Sequence, residues 1–261
     1  MFQARNLKRQ TPLEIFFARQ HLDYRNKSQV TELGHWFRDA ALKVHSIHSP
    51  MYTDEIWGRS GPQSVITITE RTKAKRMAMV DEIKRAIEVA ETIPFRYMVQ
   101  HIGVSEEEFS EHKVEAAFSS LEELMIFARH RGVEILLENI PNELSSASRL
   151  VSFIKTTHLD LNFVFDVGHA NIGAGVEPEF EIMKERIRST HVHDNDGQSD
   201  KHLFPMVAEG GTVNWKNTMN LLRSRTGQYP LLLELKEVET MESPLDCVNQ
   251  VFDRLEEIPR D

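Results

Sequence analysis

Short, nearly uninterrupted apolar runs alternate along the chain with longer stretches in which apolar residues recur at helical spacing. The short runs cover 13–18, 43–48, 96–101, 134–139, 162–166, 188–193 and 231–235 and are rich in Ile, Leu, Val and Phe. Continuous runs of this kind mark strands buried on both faces, as in a parallel sheet, rather than half-exposed strands. The periodic stretches predict helices over 28–41, 70–92, 106–130, 145–157, 177–185, 215–225 and 244–257, with Ser28 and Ser145 as N-caps. Gly103, Gly132 and Gly227 fall in connections. Strict β-then-α alternation predicts an α/β barrel or a doubly wound sheet, in a single domain spanning 1–261.

A closed (β/α)8 barrel has eight strands, and this pattern supplies seven. About twelve residues precede the first strand, too few for another strand, a helix and their turns. The expected fold is therefore a (β/α)8-type barrel lacking its first strand and helix. Either the chain starts late or the barrel is open on one side. An open side exposes strand edges that demand a cover, which predicts a homodimer with the N-terminal segment partly filling the gap.

With 261 residues, 40% of them apolar, the chain can build one such domain. The balance of 31 basic against 40 acidic residues, a net charge of -9, argues against a nucleic-acid partner, because phosphate contacts need a local cationic surface. The Lys and Arg of ERTKAKRMAMVDEIKR are interleaved with acids and read as a solvated helix face. The single cysteine, Cys247, excludes an internal disulfide and a thiolate-rich metal site. No run approaches the roughly 20 apolar residues of a membrane span. The basic N-terminus MFQARNLKRQTP has no apolar core behind it, so the expectation is a cytoplasmic protein without membrane attachment.

In parallel barrels the chemistry sits where each strand ends and its loop begins. Here KVHSIHSPMY ends in His48, RYMVQHIG in His101 and EILLENIP in Glu138. NFVFDVGH carries Asp166 and, one helical turn later, His169. RSTHVHDND carries His191, His193 and Asp194, GQSDKHLF adds Asp200 and His202, and PLLLELK ends in Glu234. A lone His or Glu at such a place is more often hydrogen-bonded than ligating. Carboxylates beside LLL and VF runs, however, must leave water, and an unpaired buried carboxylate is costly. A shared divalent cation relieves several of them together, and mixed His and carboxylate ligands suit zinc or manganese. The alternative is a buried polar network without metal.

The segments LLEN, FDVGH, HVHDNDGQSDKH and LLLEL resemble the xylose-isomerase-like TIM-barrel superfamily, which includes sugar isomerases and epimerases and the zinc-dependent apurinic endonucleases. The resemblance runs from His48 to Glu234. In the epimerases one divalent ion is held by Glu, Asp, His and Glu from consecutive late strands, which implies Glu138, Asp166, His191 and Glu234 here. In the endonucleases three zinc ions use a larger set, which implies His48, His101, Glu138, Asp166, His169, His191, Asp200, His202 and Glu234. Each of the nine positions carries a residue of the right type. The longer loop LFPMVAEGGTVNW departs from the short Pro-Gly-x-Gly turn of many relatives, so the loop over the site should differ in shape.

Two chemistries stay open on this reading. Isomerisation or epimerisation of a small sugar through an enediolate would use one metal ion, with Glu138 and Glu234 as ligands that also handle the proton. His169 and His193 would then contact substrate, support a ligand or hold a further ion. Phosphodiester hydrolysis of abasic DNA would use two or three ions, completed by His48, His101, His169, Asp200 and His202. A barrel that binds metal but has lost catalysis is the third reading. Arg19, His21 and Tyr24 after the first strand, and Tyr52, Trp57 and Arg59 in the 50–69 loop, are candidate substrate contacts.

Overall fold

The computed structural model describes residues 12–237 and 243–260. The strands are β1 (Leu13–Phe16), β2 (Val44–His48), β3 (Tyr97–Gln100), β4 (Glu134–Glu138), β5 (Asn162–Asp166), β6 (Ile187–Val192) and β7 (Leu232–Leu233). They pair in chain order, every pair parallel. The helices are α1 (Lys27–Asp39), α2 (Lys73–Glu88), α3 (Glu111–Arg129), α4 (Ala147–Thr157), α5 (Val167–Ile172), α6 (Val176–Met183), α7 (Trp215–Arg223) and α8 (Pro244–Glu257).

The continuous apolar runs are explained by two separate cores. Tyr97, Val99, Leu136 and Val164 form a small cluster inside the barrel. The alternate positions Met98, Ile135, Leu137, Phe163 and Phe165 join the large layer beneath the helices. Successive side chains of a strand face opposite ways, so strands buried on both faces need apolar residues at nearly every position.

Seven strands make a nearly closed barrel of TIM type. Among the described residues β1 and β7 are not paired with each other. The N-terminal segment expected to fill that gap, residues 1–11, lies outside the described residues. No helix among the described residues is long and apolar enough to cross a membrane.

Several boundaries differ from the sequence pattern for local reasons. Asn26, not Ser28, caps α1, its side chain accepting from the backbone N–H of Ser28 and Gln29. Ser146, not Ser145, precedes α4, because the Ser145 hydroxyl is turned inward to the carbonyl of Ile102 at 2.8 Å. The helix expected from 106 starts at Glu111, since Glu106 sits in the left-handed region at φ 59. The unexpected α5 begins immediately after β5, where the Asp166 carboxylate accepts the His169 N–H at 2.6 Å. β7 is shortened to two residues and, among the described residues, pairs only with β6.

Candidate metal centre at the barrel mouth

β4, β5 and β6 end in Glu138, Asp166 and His191–Val192, and Glu234 follows β7 by one residue. The parallel register therefore brings these side chains to one end of the barrel. Nδ1 of His191 lies 2.9 Å from Oε2 of Glu234, 3.1 Å from Oε1 of Glu138 and 3.7 Å from Oδ2 of Asp166. Glu138, Asp166, His191 and Glu234 thus form one potential ligand set, with donor atoms all within 4.8 Å of one another.

Two further sets adjoin it. Nε2 of His48 and Nε2 of His101 approach to 3.1 Å, and they lie 3.4 and 2.9 Å from Oε2 of Glu138. Glu138 therefore offers Oε1 to one set and Oε2 to the other. The third set is His169, His193, Asp200 and His202. Nε2 of His169 and of His202 lie 3.2 and 3.0 Å from Oδ2 of Asp200. The His193 ring stacks on that of His202 at 4.0 Å, its Nε2 3.1 Å from Oδ1 of Asp166.

These residues suit divalent ions. The Nδ1 of His48, His169 and His202 lies 2.9, 3.0 and 3.1 Å from the carbonyls of Ser49, Asn139 and Glu234, respectively. An Nδ1–H donated to a carbonyl fixes the tautomer that leaves an Nε2 lone pair free. In each case that Nε2 points into a ligand set. Among the described residues the buried Asp166 Oδ2 has no hydrogen-bond partner, and His193 Nε2, although 3.1 Å from Asp166 Oδ1, does not meet it with hydrogen-bond geometry. Buried polar atoms are normally satisfied, and a cation among these donors would supply what the protein does not.

The electrostatics among these side chains agree. Burial lowers the affinity of the His191 ring for a proton, but Glu234, Glu14 and Glu138 outweigh it and raise its pKa well above the ordinary histidine value. Burial opposes charge on His169 and His202 as well. Asp166, Asp200 and Glu138 nevertheless hold His169 well up, and Asp200 and Glu234 lift His202 to about 9. Burial pushes Glu138 and Glu234 up, yet His191, with His101 beside Glu138, holds both carboxyls below their usual range. His101 is lowered by burial, only partly offset by Glu138. The carboxylates thus favour positive charge at His169, His191 and His202, where a cation would sit, and not at His101.

Of the strand-end residues singled out from the sequence, Asp194 does not join any set. Its carboxylate accepts from the N–H of Asn195, Thr212 and Val213 at 2.8, 2.9 and 3.1 Å and from Trp215 Nε1 at 2.6 Å. It anchors the GGTVNW loop to the end of β6, and a Cβ on Gly211 would lie 2.4 Å from its Oδ2. Tyr24 is buried, and its hydroxyl donates to Glu82 at 3.1 Å. Arg19 is bound to Asp23 and to the carbonyl of Thr53.

Sequence reasoning missed two contributors. Asn139 clamps the ends of β4 and β5, accepting from the Asp166 N–H at 2.8 Å and donating to the Asp166 carbonyl at 3.0 Å. Glu14, on β1, reaches His191 from inside the barrel, with Oε1 2.8 Å from Nε2. Its signal was a carboxylate within the apolar run LEIFF.

Beside the centre, the Phe16 ring stacks on His48 at 4.5 Å and meets Trp57 at 4.7 Å, and Trp57 meets Tyr52 at 5.0 Å. This aromatic row leads from the ligands to the half-exposed indole of Trp57.

The family described as a xylose isomerase-like TIM barrel matches residues 12–256. Uncharacterized protein MJ1311 of Methanocaldococcus jannaschii is 28% identical over 216 residues, covering 76% of this chain and 72% of the relative. A D-tagatose 3-epimerase-like protein superposes with a TM-score of 0.72 at 23% identity, over 94% of this chain and 89% of that one. The IolI protein with a bound zinc atom gives a TM-score of 0.72 at 17% identity, over 93% of this chain and 86% of that one. At these identities the structural likeness establishes the fold.

Proposed function

The chain belongs to the xylose isomerase-like TIM barrel family, and from that premise we propose that it is a divalent-metal-dependent isomerase or epimerase of a small sugar. The observation that carries the proposal is the convergence of Glu138 and Glu234 on His191 Nδ1, at 3.1 and 2.9 Å. Zinc or manganese is the ion of choice for Glu138, Asp166, His191 and Glu234. When bound, it polarises a carbonyl and so eases removal of the proton from the neighbouring carbon.

Glu138 ends β4 and Glu234 follows β7, three strands away, so a substrate between them meets a carboxylate from each wall. Both are held in the base form by the histidines around them. One can take the proton from the carbon beside the carbonyl while the other returns it. His169 and His193 border the same space and can hydrogen-bond substrate hydroxyls. The row Phe16, Trp57 and Tyr52 offers an apolar wall to the C–H face of a sugar ring. Self-association belongs to this reading too: β1 and β7 are unpaired on their outer edges among the described residues, and sedimentation velocity should find a dimer.

A second reading has its own observation. The division of the Glu138 oxygens between two sets, beside the third set, suits a polynuclear phosphodiester hydrolase. The acidic net charge of -9 weighs against DNA. So does the pairing of cations on α2 and nearby, as in Lys84–Glu123, Arg85–Glu82 and Arg25–Glu82. The test is solvent deuterium incorporation into a ketose panel by zinc- or manganese-loaded protein, alongside cleavage of an abasic-site duplex. Incorporation abolished by Glu234→Gln supports the isomerase; duplex cleavage abolished by the same change overturns it in favour of the hydrolase.

A further inference from the structure

One histidine of the centre is held the opposite way round from three others. His48, His169 and His202 tie Nδ1 to main-chain carbonyls and aim Nε2 at a ligand set. His191 instead presents Nδ1 to Glu138, Asp166 and Glu234 and turns Nε2 toward the barrel floor, where Oε1 of Glu14 lies at 2.8 Å. Glu14 is itself fixed, because the Ser46 hydroxyl donates to its Oε2 at 2.5 Å.

Backbone geometry sets up this arrangement. Leu13 lies opposite Val44, but Glu14 lies opposite Ser46, so β2 carries one extra residue at that point. Such irregularities re-aim side chains next to functional sites. Here the slip brings the Glu14 carboxylate beside the Ser46 hydroxyl inside the barrel. A carboxylate only 13% exposed on an otherwise apolar strand is expensive to keep there unless its partners repay it.

We infer that Glu14 is a positioning residue for the metal centre, acting through His191. Its carboxylate accepts the Nε2 proton, fixes the ring plane and the tautomer, and leaves the Nδ1 lone pair directed at Glu138, Asp166 and Glu234. A carboxylate partner also makes the imidazole a stronger donor than a carbonyl partner does. The inference rests on the metal-binding reading above, and it assigns the tightest ion to the set that contains His191.

The test is a zinc competition titration against a chromophoric chelator, on wild type, Glu14→Ala and Glu14→Gln, each with its metal-free melting curve. The tightest ion should bind about 10- to 100-fold more weakly to Glu14→Ala. The loss should be smaller in Glu14→Gln, whose amide oxygen can still accept the Nε2 proton. With 15N-labelled histidine, the zinc-loaded wild type should show a slowly exchanging His191 Nε2–H that Glu14→Ala lacks. A purely structural Glu14 would move the melting curve and neither of these. Wild-type affinity in both variants overturns the inference and leaves the metal reading standing, whereas a wild type that takes up no zinc overturns both. Should Glu14→Ala not fold, Glu14→Gln decides alone, and unchanged affinity sinks the inference.

Discussion

Oε1 of Glu138 lies 3.1 Å from Nδ1 of His191, while the other oxygen of the same carboxylate faces His101 at 2.9 Å. One side chain thus joins two ligand sets, and the sets can be taken apart by mutation.

His48→Ala should remove an ion from the His48–His101 set and leave the one at His191. On the isomerase reading, zinc per chain falls while deuterium incorporation stays within about tenfold of wild type, or about 1.4 kcal/mol in barrier. Loss of at least about a hundredfold with the His191 ion still bound would mean that the reaction needs both. Metal analysis and turnover on the same preparation check this.

Glu234→Gln keeps the shape of the side chain and removes a charged ligand and a base. Turnover should fall by about 10²- to 10⁴-fold, the usual range for a positioned proton-transfer group. Zinc should also bind more weakly. Unchanged turnover would show that Glu234 neither takes nor returns the proton.

The raised histidines give the metal-free protein a characteristic pH dependence. His202 is lifted to about 9, and His169 and His191 are raised as well, against roughly 6.5 in an unfolded chain. A raised histidine stabilises the fold fully below the unfolded value, and that stability is lost as pH rises through the folded one. The metal-free melting temperature should therefore fall as pH rises from about 6.5 through about 9, the value to which His202 is lifted. Zinc-loaded protein should show no such fall, because ligand histidines are already deprotonated. Calorimetry across that range, with and without a chelator, separates the two curves.

Asp194→Ala should cost about 3 kcal/mol or more, since three backbone N–H groups and the Trp215 indole lose their acceptor in a buried place. For a protein of this size that is roughly 5–10 °C in melting temperature. Asp194→Asn should cost less, because its carbonyl can keep the three backbone donors while its amide faces the indole N–H. Zinc stoichiometry should stay at the wild-type value in both variants. A drop in metal content with an unchanged melting temperature would contradict the anchoring role.

The comparison of Asp194 with His191 shows where the sequence stops being legible. Both belong to HVHDND and both carry metal-capable atoms. Their roles separate only when the GGTVNW loop folds back and its N–H groups occupy the Asp194 carboxylate. Glu14 is the converse case. More than 170 residues lie between it and His191 in the chain, and only the register of β1 on β2 and the curvature of the sheet bring them to 2.8 Å.

The sequence by itself determined the β-then-α order, seven strands, and the positions of Glu138, Asp166, His191 and Glu234 at or beside strand ends. Those features follow from local rules: continuous apolar runs for strands buried on both faces, helical periodicity between them, and a polar residue where a buried run stops. Tertiary structure alone decided which carboxylates face which rings. It also decided that Glu138 is shared between two sets, that Asp194 is an anchor, and that Glu14 stands behind His191. These are relations between strands, and their distances depend on register and closure, which no single run of residues encodes.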